Sequence, residues 1–161
     1  MRDNLIICEL SSGRRDAFSQ VVDLIYGQWQ DMEFCSDREK VSVRIQGRMI
    51  AGRLPFCYVA SSTDDPSVIL GTASISLHEL PDLNQRVYWL SEVCVAARHR
   101  GRGIGRELIS ACIAKARELG VRELSLYTAR QRDLYRSMGW THDADIVVDG
   151  ETCALMSIAL T

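Results

Sequence analysis

The sequence predicts a single α/β domain: a mixed sheet (α+β) with helices on both faces. Three observations lead there. Strand-length apolar runs and helically spaced segments follow one another in the order β-α-α-β-β-β-α-β-α-β-β. Val87 to Val95 is mostly apolar on both parities, as expected of a central strand buried on both faces. The 161 residues are 47% hydrophobic and 25% charged, enough for one core and unlike a disordered chain.

Asn4 to Leu10 reads as a short strand closed by the turn Ser11-Ser12-Gly13. Arg14 to Trp29 carries Phe18, Val21, Val22, Leu24, Ile25 and Trp29 at helical spacing. Asp31 to Asp37 is a polar, acidic loop. Ser36, with Glu39 three residues on, forms a capping box for a second helix running to about Ile50, before Gly52. Phe56 to Ala60 and Val68 to Leu77 are strands joined by a turn over Ser61 to Pro66. Val87 to Val95 leads through a glycine-rich turn into a helix from about Gly103 to Leu119, ended by Gly120. Its apolar stripe includes Ile104, Leu108, Ile109, Cys112 and Ala116. Glu123 to Thr128 is a strand and Arg130 to Met138 a short helix. Trp140 to Val148 and Glu151 to Leu160 form a terminal hairpin about Asp149-Gly150. There is no repeat, low-complexity segment or linker.

Several function classes are disfavoured at this level. Nineteen Lys and Arg against 21 Asp and Glu give a net charge of −2, which is not an overall nucleic-acid binder. No apolar run has the roughly 18–20 residues that cross a bilayer, so no membrane partner is expected. Met1 to Leu10 has Asp3 and Glu9 around its apolar stretch, wrong for a signal peptide, so a cytoplasmic location is expected. The six cysteines are scattered without a Cys-x-x-Cys pair and read as buried thiols. His78, His99 and His142 share no ligand spacing, and no metal is expected.

The chemistry concentrates after the buried strand, in Val93-Cys94-Val95-Ala96-Ala97-Arg98-His99-Arg100-Gly101-Arg102-Gly103-Ile104-Gly105. Glycines let backbone N–H groups approach a ligand, and a helix start leaves donors unpaired at the positive end of its dipole. Arg98, Arg100, Arg102 and Arg106 add charge, so a phosphate or pyrophosphate is the natural guest. The Gly-Lys-Ser/Thr of a Walker A loop is absent. The spacing Gly101-x-Gly103-x-Gly105 is not that of a dinucleotide fingerprint.

Arg100-Gly101-Arg102-Gly103-Ile104-Gly105 resembles the Arg/Gln-x-x-Gly-x-Gly/Ala motif of the GNAT (GCN5-related N-acetyltransferase) superfamily. Leu134-Tyr135-Arg136-Ser137-Met138-Gly139-Trp140 resembles that family's Tyr-x-x-x-Gly-Phe segment, and the element order agrees along essentially the whole chain. The resemblance implies a GNAT-like acyl-CoA N-acyltransferase fold of about seven mostly antiparallel strands. It also implies acetyl-CoA as co-substrate, with pyrophosphate on the amides from Arg100 to Gly105 and Arg106 nearby. Pantetheine would lie along Val93, Cys94 and Val95, beside a bulge that splays this strand from the next. An amide near Cys94 or Val95 would polarise the thioester carbonyl.

Glu92 stands inside the apolar run, and a buried carboxylate needs a reason. It would take the proton of a substrate ammonium, or else serve as a structural carboxylate bonded to a neighbouring Tyr or backbone N–H. A one-residue change of parity would present Ser91 instead. Tyr135 matches the family's tyrosine that protonates the leaving thiolate. Thr128 and Gln131 stand where many members have Asn and Ala, and Thr128 retains one hydrogen bond for pantetheine. Cys94 offers a competing nucleophile, with no His beside it. Trp29, Trp89 and Trp140 read as core. Asp31, Glu33 and Asp37, like His78, Glu79 and Asp82, are either solvated or border a pocket suited to a cationic amine. The expected activity is direct acetyl transfer to a small-molecule or peptide amine in a ternary complex. The alternatives are a non-catalytic acyl-CoA sensor and a partner-binding domain with an empty turn. The edges of the terminal hairpin leave a homodimer open.

Overall fold

The computed structural model describes residues 4–11 and 13–160. The charged start Met1–Asp3 and Ser12 of the expected first turn lie outside the described residues. Seven strands form one sheet in the order β1-β2-β3-β4-β5-β7-β6. They are β1 Leu5–Glu9, β2 Phe56–Ser62, β3 Asp65–Leu77, β4 Tyr88–Val95, β5 Glu123–Thr128, β6 Thr141–Val148 and β7 Glu151–Ala159. The β4–β5 neighbours are parallel and every other pair is antiparallel. The predicted mixed sheet is therefore present, and its strands and α-helices follow one another along the chain as predicted.

Helices α1 Arg15–Trp29 and α2 Arg38–Gln46 cover one face. Val21, Ile25, Val41 and Ile45 pack there with Cys57, Val59 and Ile69 of the sheet. Helices α3 Ile104–Glu118 and α4 Arg132–Ser137 cover the other. The predicted stripe of Ile104, Leu108, Ile109, Cys112 and Ala116 is buried against Ala73, Ile75, Leu90, Leu124 and Leu126. Each large aliphatic chain buried this way contributes roughly 1.5–3 kcal/mol.

Some boundaries differ from the expected ones. Asp37, not Ser36, caps α2 by accepting from the Glu39 N–H at 2.8 Å. The Ser36 hydroxyl is taken by the Glu33 carbonyl, because Glu33–Cys35 winds into a 3-10 turn within the expected loop. Helix α2 also stops at Gln46 rather than near Ile50. Strands β2 and β3 run on to a tight turn at Thr63-Asp64, and α4 is trimmed to six residues. The terminal hairpin turns on Asp149 (φ 51°) and Gly150 (φ 79°), two positive-φ residues that suit a twisted two-residue turn.

The feature that positions the site is a bulge in β4. Thr72 of β3 faces Cys94 and Ser74 faces Ser91, so β4 uses one more residue than β3 across this step. Glu92 occupies it at φ 52°, a left-handed backbone rare outside glycine. The parity question resolves in an unexpected way. Leu90 and Val93 both join the α3-side core. Between them, Ser91 and Glu92 both bond towards the α2 side. Past Trp89, which faces Ser125, β4 has no further pairing with β5 among the described residues.

Candidate active site

Gly101 (φ 78°) and Gly103 (φ 83°) turn the chain from a 3-10 turn at Ala97–His99 into α3. A Cβ on either would meet no protein atom within 4 Å. The left-handed backbone demands these glycines, while packing does not, and open space lies over them. Among the described residues, the N–H groups of Gly101, Gly103, Ile104, Gly105 and Arg106 have no acceptor. That open, amide-lined surface at a helix start fits a diphosphate.

The arginines divide their work. Arg100 turns back, its Nε donating to the Val95 carbonyl (3.0 Å) and its Nη2 to Gln28 Oε1 of α1 (2.6 Å). Its side chain braces the turn against β4 and α1, and its backbone remains in the turn. Arg106 Nη2 reaches Ser137 Oγ at the end of α4 (2.9 Å). Arg102 lies 3.5 Å from the His99 ring. Arg98 is exposed.

Among the described residues, the edge of β4 carrying Val93, Cys94 and Val95 has no strand paired to it on the β5 side beyond Trp89. Burial pushes the Cys94 thiol up to about 11, and its Sγ donates to the Leu24 carbonyl. It is thus a protonated core thiol at neutral pH, not an activated nucleophile. Tyr135 of α4 is buried edge-on against Trp140, at 5.9 Å between rings. Burial lifts its phenol far above the ordinary range, so it keeps its proton at working pH and can present it to a developing negative charge. Thr128 Oγ1 accepts from the Gln131 N–H at 3.0 Å, at the start of α4. Trp89 is core, as expected, its Nε1 on the Arg86 carbonyl.

Glu92 meets partners that its own neighbourhood in sequence did not announce. Its Oε1 accepts from Arg44 Nε (2.7 Å) and Arg48 Nη2 (3.2 Å), and its Oε2 from Arg44 Nη2 (3.3 Å). The side chains of Glu92 and Arg48 are only 6% and 4% exposed, which makes the pair internal. Burial acts to lower the Arg44 pKa, but the hydrogen bond to Glu92 and its charge outweigh burial and raise it. Arg44 also donates to the Phe34 carbonyl and lies over the Phe34 ring. The acidic loop, α2 and the β4 bulge are thereby fastened together.

A cleft of about 670 Å³ opens between that loop, α2 and the tip of the β6–β7 hairpin. Glu33, Phe34, Glu39, Lys40, Val43, Arg44 and Asp149 line it. Of the three acidic loop residues expected there, Glu33 lines it, Asp37 is spent as a helix cap, and Asp31 is absent from the lining.

Sequence reasoning missed Arg44, Arg48, Gln28 and Phe34. A signal for Arg48 existed: Val41, Ile45 and Arg48 follow one another at helical spacing, placing an arginine on the buried stripe. A buried cation calls for a buried carboxylate, and Glu92 was the one inside an apolar strand.

The chain matches the acetyltransferase (GNAT) family over residues 21–140. No curated protein matches its sequence significantly. Among solved structures it is similar to yncA from Salmonella typhimurium, with its cofactor acetyl-CoA. That likeness has a TM-score of 0.73 at 21% identity, over 99% of this chain and 95% of the other. A chain of the NatC complex bound to Gag peptide and CoA gives a TM-score of 0.75 at 17% identity, over 98% and 99%. An aminoglycoside 6'-N-acetyltransferase complexed with coenzyme A gives 0.73 at 14% identity, over 97% of each chain. At such identities the likenesses show the fold.

Proposed function

Because the chain belongs to the acetyltransferase (GNAT) family, we propose that it moves an acetyl group from acetyl-CoA to a primary amine, by direct attack in a ternary complex. One observation carries the reading: the β4 bulge at Glu92 opens the sheet beside a turn with unpaired amides. The turn from Arg100 to Arg106 would hold the pyrophosphate of the co-substrate. The unpaired edge at Val93 to Val95 would hold its pantetheine arm as an added strand, and Thr128 stands at the cleft's far side. The amine would arrive through the cleft above Arg44, where Glu33, Glu39 and Asp149 favour a cationic acceptor.

The state of the thiol on the cleft strand supports direct transfer. With Cys94 protonated and no imidazole beside it, attack falls to the amine itself. Tyr135 would then give its proton to the departing sulfur. A thiol leaves with modest help, so Tyr135→Phe should lower kcat about 10- to 100-fold and leave acetyl-CoA affinity unchanged. Because burial holds the Tyr135 proton, the wild type should show no loss of this acid up to about pH 10. Rates measured from about pH 6 to 10 check both statements.

Calorimetric titration with acetyl-CoA, and with a pantetheine thioester lacking the pyrophosphate, tests the binding step. Micromolar binding that requires the pyrophosphate is expected. Product analysis with primary amines follows, and binding without any acetylation would instead support a sensor.

A further inference from the structure

Ser91 stands on β4 just past the last β4–β5 pairing, and it bonds away from the cleft into the protein. Its Oγ lies 3.0 Å from Ser76 Oγ on β3, and Ser76 Oγ lies 2.5 Å from Glu79 Oε1 beyond that strand. The polarity of this chain is fixed by elementary chemistry. A carboxylate only accepts, so Ser76 must donate to Glu79 and has no second proton. Ser91 must therefore donate to Ser76, and its lone pairs are left to accept. Ser76 is buried while Glu79 is partly exposed, so the chain runs from the cleft strand through the interior to water.

Glu92, by contrast, has both oxygens engaged by guanidinium groups. We propose that the proton of the acceptor ammonium leaves through Ser91 and Ser76 to Glu79, and that Glu92 is a positioning residue holding the bulge. This rests on the acetyl-transfer reading. The N–H bond breaks as Ser91 gains that proton; Ser91 passes its own to Ser76, and Ser76 passes its own to Glu79, which releases it to water. The neutral amine then attacks the thioester carbon. Tyr135 protonates the departing sulfur and regains a proton from the positively charged nitrogen of the tetrahedral adduct, which thereby becomes the neutral amide, so one proton is released per turnover.

The groups facing Glu79 are Arg48 at 3.6 Å, Ser76, Tyr127 across on β5, and Glu92 through the shared Arg48. Tyr127 stays protonated because burial, and next the charge of Glu79, lift it far above its ordinary range. Among these facing groups Glu79 is thus the carboxylate tied to the hydroxyl chain.

The test is the pH dependence of acetylation of glycinamide, lysinamide and spermidine at saturating acetyl-CoA. Ser91→Ala, Ser76→Ala and Glu79→Gln should each lose at least tenfold in kcat/KM for the amine near pH 7. The loss should vanish towards about pH 10 for glycinamide, whose α-amine enters already neutral, and persist to higher pH for the more basic alkyl amines of lysinamide and spermidine. Ser91→Thr keeps the hydroxyl and should keep the wild-type profile. Structural damage would instead lower the rate at every pH and reduce the affinity for acetyl-CoA. Wild-type profiles in all three relay variants, or a loss independent of pH, overturn the relay and leave acetyl transfer standing. Folded protein that acetylates none of the three amines overturns the acetyl-transfer reading, and the relay with it.

Discussion

Glu92→Ala is expected to lower the free energy of unfolding by about 3–5 kcal/mol. The carboxylate is all but inaccessible and lies between two guanidinium groups, one of them equally buried. Removing it leaves Arg48 inside the protein with Glu79 alone, at 3.6 Å, and one of its nitrogens already has no acceptor. Arg44 is a quarter exposed and recovers water, so most of the cost sits on Arg48. The left-handed backbone at Glu92 gives a second handle. Alanine inherits that strain and glycine does not, so Glu92→Gly should be less harmful than Glu92→Ala by about 1 kcal/mol. A double replacement, Glu92→Met with Arg48→Met, should be less harmful than Glu92→Ala, because the fully buried guanidinium goes with its carboxylate and only the part-exposed Arg44 and Glu79 must turn to water. Urea unfolding followed by tryptophan fluorescence measures all three. A cost below about 1 kcal/mol for Glu92→Ala would show that the ion pair does not hold the bulge.

The contrast between Glu92 and its arginines marks what the sequence could disclose. A carboxylate inside an apolar run is visible as an anomaly, but its partners are 44 and 48 residues away. Only the packing of α2 on the sheet brings them together. The bulge is likewise a property of two strands: it exists because β4 uses an extra residue against β3. The extra residue also puts Ser91 and Glu92 on one side, which period-two counting does not allow. Elements defined by their own periodicity were legible. Helix α3, with its buried stripe, and strand β5 fall where expected.

Ends set by competition were less legible. Ser36 and Asp37 are both good caps, and the choice fell to Asp37 because the Glu33 carbonyl takes the serine hydroxyl. Strand β3 begins early, over polar residues, because α1 supplies partners: Gln20 bonds the Ser67 carbonyl and the Ile69 N–H at 2.8 Å each. In the glycine turn the motif was legible as a helix start with unpaired amides, whereas the partners of the Arg100 guanidinium were not. That guanidinium braces β4 and α1, a role that depends on Gln28 arriving from another helix.

Gly103→Val is expected to weaken acetyl-CoA binding at least 100-fold, and the reason can be separated from general damage. Gly103 sits at φ 83° immediately before α3, where a branched side chain costs roughly 1–2 kcal/mol. The protein has two responses, and each harms binding. If the backbone holds, the new side chain stands in the open space over the turn, where no protein atom lies within 4 Å. If the backbone relaxes to negative φ, the N–H groups of Ile104 and Gly105 swing off their common direction and the anion loses its donors. Gly120 provides the control at the opposite end of the same helix. It has φ 87° and equally open surroundings, so Gly120→Val carries the same backbone strain. Both variants should melt a few degrees below the wild type. Calorimetry should then separate them: Gly120→Val keeps its dissociation constant for acetyl-CoA, and Gly103→Val loses it. Equal binding by the two variants would mean that the turn before α3 does not hold the diphosphate, because strain alone would then account for everything measured.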